Sequence, residues 1–84
     1  MTHKNTHAHA IALETVERVL GPLRARMLLG SFLARREQEQ IETADDLHAF
    51  GRELGTYGGT EESVGARICR QAVQMGASND EPDE

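Results

Sequence analysis

The chain has 84 residues, with 14 acids against 9 bases for a net charge of −5, 38% hydrophobic residues and 4% aromatic ones. A chain this short forms one small domain, able to bury only about 60 to 65% of the surface its unfolded form exposes; with no Trp, Tyr57 alone of its kind, and Phe32 and Phe50, its core must be aliphatic, which argues against a strand-rich fold. The single Cys69 excludes an intrachain disulfide framework, the run Met27-Leu28-Leu29 is far too short to span a bilayer, and no positive region followed by an apolar stretch opens the chain, so the expectation is a soluble, untargeted, cytoplasmic protein.

The acidity is concentrated at one end. Setting aside Asp80, Glu81, Asp83 and Glu84 of the tail, together with Lys4, leaves ten acids against eight bases, every one an arginine. Net negative charge disfavours nonspecific attraction to phosphate backbones. Arginine in place of lysine suits planar contacts to carboxylates or phosphates, and equally fits a GC-rich genome.

Residues 1–7 are polar and unpatterned and are expected to be disordered. From Ala8 to Leu20 a first helix is predicted, with Ala12, Val16, Val19 and Leu20 on one side, and Glu14 and Arg18 in the favourable i, i+4 order on the other. Gly21 supplies its stop, and Pro22 fits the first turn of the next helix, where a missing N–H costs nothing.

The second helix is predicted over 22–39. Leu23, Met27, Leu28, Leu29, Phe32 and Leu33 spread around most of its circumference, so it should be buried on several sides, as the central helix or as one that also meets a second copy of the protein. Met27, Leu28, Phe32 and Leu33 are the candidate interface residues, joined by Tyr57 from the loop further on. The polar end Arg35-Arg36-Glu37-Gln38-Glu39-Gln40 should project into solvent.

Thr43 is placed to N-cap a third helix over 44–54, with Asp45 and Asp46 in its first turn suiting the helix dipole and Leu47, Phe50 and Leu54 buried. Gly55 ends it. The connection Gly55 to Thr60 carries the Gly58-Gly59 pair, suited to positive φ, and Thr60 is the expected cap of a fourth helix over 61–75. Its glycine-rich loop lacks the lysine of a P-loop, and Glu61 and Glu62 stand where an anion would sit. Gly30, Gly51 and Gly65 lie inside predicted helices, each costing about 1 kcal/mol relative to alanine, and should mark close helix approaches. Residues 77–84 form an acidic tail expected to stay disordered.

The fourth helix carries the most informative pattern. Ser63, Arg67, Arg70 and Gln74 fall at i, i+4, i+7 and i+11 on one face, while Val64, Ile68, Ala72 and Met75 share another. With the third helix this could form a helix-turn-helix, since arginine grips guanine edges or phosphates and glutamine pairs with adenine. Glu61 and Glu62 point toward the core edge, away from the stripe. Against a nucleic-acid reader stand the six-residue connection, longer than the 3 to 4 residue turn of that motif, and the overall acidity.

Other constellations have simpler explanations. His3, with an intact amino terminus, could offer an amine-x-His copper or nickel site, but His3, His7 and His9 read as incidental residues of a loose end. His48 lies on a polar border between Asp45 and Arg52. Cys69 is expected to be a buried inert thiol, with no His and carboxylate placed to activate it. No catalytic, cofactor-binding or metal site is recognisable.

The expected protein is therefore an all-α, four-helix bundle-like domain over 8–76 acting as a non-enzymatic protein–protein interaction or regulatory module. Its partner would be another protein or a second copy of itself, with no membrane. The alternatives are a nucleic-acid-binding regulator reading through the fourth helix, and an acidic inhibitor of a nucleic-acid-binding enzyme that presents Glu37, Glu39, Glu42, Asp45 and Asp46.

Overall fold

The computed structural model describes residues 6–76. Four helices follow one another with no strand among the described residues: α1 Thr6–Leu20, α2 Pro22–Arg36, α3 Ala44–Gly55 and α4 Gly59–Gln74. The all-α expectation holds helix for helix. The polar segments expected at 1–7 and 77–84 lie outside the described residues except for Thr6 and His7, which belong to α1.

The helix ends follow from local chemistry. Gly21, at φ 89°, separates α1 from α2 by a single residue, and Pro22 occupies the first turn of α2. That positive φ is open to glycine at no steric cost. α2 stops three residues earlier than expected because Glu37 adopts the left-handed conformation, φ 57° and ψ 42°. The Glu37 N–H then donates to the Ala34 carbonyl at 3.2 Å and the Gln38 N–H to the Leu33 carbonyl at 3.0 Å. This is a glycine-style helix terminus built on a glutamate, so composition offers no sign of it. Thr43 caps α3 as expected, its hydroxyl accepting from the Asp46 N–H at 3.0 Å. Thr60 does not cap α4; Gly58 takes that place with φ 76° and no side-chain hydrogen bond, and helix begins at Gly59.

The core collects one stripe from each helix: Ala8, Ala12 and Val16 of α1; Ala25, Leu29, Phe32 and Leu33 of α2; Leu47, Phe50 and Leu54 of α3; Val64, Ile68 and Ala72 of α4. Ile41, buried in the α2–α3 connection, plugs one end. The rings of Phe32 and Phe50 meet at 5.2 Å between centroids, tilted by 54°, an offset that aromatic quadrupoles favour. Val19, expected on the buried side of α1, is 46% exposed; the buried stripe runs instead through Ala8, one turn before Ala12.

The most extensive packing is α3 against α4. Leu54 and Gly55 approach Gly65, Gly51 approaches Gly65 and Cys69, and the Cys69 thiol reaches the His48 carbonyl at 3.6 Å. These contacts move steadily away from the connecting turn along both helices, the pattern of an antiparallel αα-hairpin. Gly51 and Gly65 thus mark a close approach, as their helical positions suggest. Gly30 does not: a Cβ built on it meets nothing within 4 Å.

The expectation that α2 is central is wrong. α2 packs mainly on α1 and lightly on α3, and no Cα of α2 lies within 8 Å of one in α4. α1, like α3, packs against all three other helices. Its slim face of Ala8 and Ala12 lets neighbours close in on several sides, whereas the apolar residues of α2 divide between a buried side and an outward one.

Candidate functional site

Three surfaces carry the residues singled out in the sequence. On α2, Leu23 is 75% exposed and Met27 61% exposed. Leu28 is half-buried against the core. Phe32 and Leu33 are 3% and 7% exposed, so both are corrected from interface to core: at their positions on the helix they face Phe50 and α1. Leu23 replaces them on the outward side, one turn before Met27. Tyr57 is 48% exposed, and its hydroxyl lies 3.4 Å from Glu53 Oε2. That carboxylate also pairs with Arg35 of α2.

On α4, Ser63, Arg67, Arg70 and Gln74 are all exposed, opposite the buried Val64, Ile68 and Ala72. The stripe exists as drawn from the sequence. Neither arginine has an ion pair or hydrogen bond among the described residues, in contrast to Arg24, Arg35 and Arg36. Glu61 turns away from the stripe and toward α2, where Arg24 donates to its Oε2 from Nε at 3.2 Å and Nη2 at 2.7 Å. The hydrogen bond from Arg24, reinforced by a backbone one, holds the Glu61 carboxyl below the usual glutamate range. Glu62 is exposed rather than at the core edge. The turn between α3 and α4 is three residues, Thr56 to Gly58, so the objection drawn from a long connection falls.

A third surface, unforeseen in the sequence, is an open groove of about 610 Å³ between α2 and α3, lined by Phe32, Arg36, Asp45, His48 and Arg52 among others. The Arg36 guanidinium carbon lies 5.2 Å from the centroid of the Phe32 ring, shielding the core from the groove by a cation–π contact. The same side chain donates to Asp46 Oδ1 at 3.1 Å.

Asp46 is the hub of the α2–α3 connection. Its Oδ2 accepts from the Gln38 amide at 3.0 Å and the Glu42 N–H at 3.1 Å. Partial burial works to raise its pKa, but the Gln38 hydrogen bond, the Glu42 N–H, the Arg36 charge and a backbone bond from Thr43 outweigh it and leave the carboxyl below the usual aspartate range. The polar end of α2 therefore does not simply project into water: Gln38 is half-buried and structural. Of the five acids proposed as an inhibitor's surface, Asp46 is committed internally, with its charge opposed by Arg36.

His9 has a role that its sequence neighbourhood hides. Its Nδ1 accepts from the Ile41 N–H at 3.0 Å, which places the ring proton on Nε2 and ties α1 to the α2–α3 connection across 32 positions. His7 is exposed on α1, and His3 lies outside the described residues. No group of three or more His, Cys, Asp or Glu able to hold a metal ion occurs among the described residues. Cys69 is half-buried rather than fully buried. No helix among the described residues is long and apolar enough to cross a membrane.

Comparisons with protein-family models, with curated proteins and with solved structures returned no match. The class that the fold defines is a small all-α domain of four helices, the last two forming an antiparallel hairpin.

Proposed function

We propose that this chain is a non-enzymatic, cytoplasmic interaction module whose partner is a protein and which self-associates through the outward side of α2. The observation that carries the reading is the exposure of Leu23 and Met27, 75% and 61%, on a helix whose opposite side already fills the core. Exposing two large apolar side chains one turn apart is a cost that binding relieves. A domain this small gains stability from covering them. Light scattering across a concentration series tests the self-association: a growing mass supports it, and a strict monomer at about 100 µM rules it out.

A second reading, nucleic-acid recognition through α4, is favoured by the outward Arg67 and Arg70, which have no partner among the described residues, and by the three-residue turn. It is opposed by the net charge of −5 and by an α3–α4 pair that runs antiparallel in contact, where a reading motif crosses at about 90 to 120°. It requires salt-sensitive DNA binding that Arg67→Ala and Arg70→Ala both weaken. Absence of binding to genomic fragments at low salt ends it.

A further inference from the structure

The exposed side of α2 does not stop at two residues. Leu23, Met27, Gly30 and Ala34 are all exposed and are spaced four, three and four apart, the seam spacing of a two-stranded helical pair. Two of the four are large and two are small. No packing among the described residues calls for glycine at position 30: it lies in the interior of a helix, where glycine is unfavourable, yet a Cβ there would meet nothing within 4 Å.

We infer that α2 pairs with α2 of a second copy of this chain in a symmetric antiparallel arrangement that seats Met27 over the partner's Gly30 and Leu23 over the partner's Ala34. This rests on the self-association reading above and adds its geometry. A two-fold axis level with the midpoint between Leu28 and Leu29 brings each large residue opposite a small one. One operation satisfies all four positions twice, which defines an isologous contact. A parallel, in-register pair would set Met27 against Met27 and Gly30 against Gly30, crowding one level and leaving a void at the other. The small residues permit the close end of the range of helix separations, about 8 Å. Arg26, at the rim of the seam, has a stem long enough to lie along it with its charge in water.

The test is a charge exchange followed by light scattering and sedimentation. Leu23→Glu and Ala34→Lys each place one charge in the seam and should weaken dimerisation by roughly tenfold or more. The double variant sets the introduced glutamate of each copy opposite the introduced lysine of the other and should recover most of the loss, as should an equimolar mixture of the two single variants. Both sites are exposed, and circular dichroism of each variant verifies the fold. If the wild-type chain dimerises but Leu23→Glu does not weaken it, the seam lies elsewhere and the inference fails. If both single variants weaken it and neither the double variant nor the mixture recovers, the antiparallel register is wrong. A strictly monomeric wild-type chain removes the self-association reading itself, and the inference with it.

Discussion

The backbones of Gly51 and Gly65 meet so closely that a methyl group on Gly51 would come within 2.8 Å of the Gly65 carbonyl oxygen, and one on Gly65 would overlap the Gly51 carbonyl oxygen outright. Backbone cannot swing aside as a side-chain tip can, so α3 and α4 would have to part. Gly65→Ala and Gly51→Ala should therefore each destabilise by about 1 to 3 kcal/mol, despite the better helix propensity of alanine. For a domain of this size that lowers Tm by roughly 5 to 20 °C. Thermal unfolding followed by circular dichroism checks it, and an unchanged Tm for Gly65→Ala would contradict the close approach.

Gly30 should respond with the opposite sign. With open space around it, Gly30→Ala gains helix propensity worth about 1 kcal/mol and raises Tm by about 4 to 8 °C when measured at low micromolar concentration. The same methyl group occupies the hollow that the second copy's Met27 requires, so self-association should weaken while the monomer gains stability. Thermal melts at low concentration and light scattering at high concentration separate the two effects.

The His9 bond to Ile41 anchors the α2–α3 connection to α1. His9→Phe keeps a planar ring but leaves the Ile41 N–H without its acceptor, a loss of about 1 to 3 kcal/mol. Urea unfolding should show a lower midpoint at unchanged slope, the signature of lost stability without a change in compactness. An unaltered midpoint would mean that water satisfies this N–H.

Asp46 makes stability depend on acid in a defined direction. Its folded-state pKa lies below the ordinary value of 3.8, so the unfolded chain binds the proton more readily. Its contribution is therefore fully present above about pH 5 and is lost as pH falls through the unfolded and then the folded value. Asp46→Asn should cost about 1 kcal/mol at pH 7, and the gap between variant and wild type should narrow toward pH 3. Chemical unfolding at both pH values measures it; a gap of constant size would show that the charge contributes nothing.

Much of the fold is legible in the sequence because its signals are local. Pro22 after Gly21, the Thr43 cap with Asp45 and Asp46 behind it, and the stripe of Leu47, Phe50 and Leu54 each concern residues within a turn or two of one another, and the four helices follow from them. The boundaries that differ lack such a signal: Glu37 carries a conformation normally marked by glycine, and Gly58 starts α4 without any capping side chain.

The candidate surfaces are only half legible. Helical periodicity places Ser63, Arg67, Arg70 and Gln74 together on an outward face, since one helix suffices to define a stripe. It cannot say which apolar side of α2 is covered, because that depends on the direction from which α1 and α3 arrive. Phe32 and Leu33 therefore read as interface from the sequence, and Leu23 does not. His9, Ile41 and Asp46 are beyond reach for the same reason: their partners lie on other segments.

By itself, then, the sequence determined the number, order and polarity of the helices, since these rest on spacing along one chain. Tertiary structure decided that the backbones of α1 and α3 pack against every other helix while α2 reaches α4 only through the Arg24–Glu61 pair, that Gly51 and Gly65 are packing sites while Gly30 is open, and that Leu23 and Met27 are exposed. Those outcomes depend on how helices approach one another, a property set by the summed burial of all four rather than by the pattern of any one.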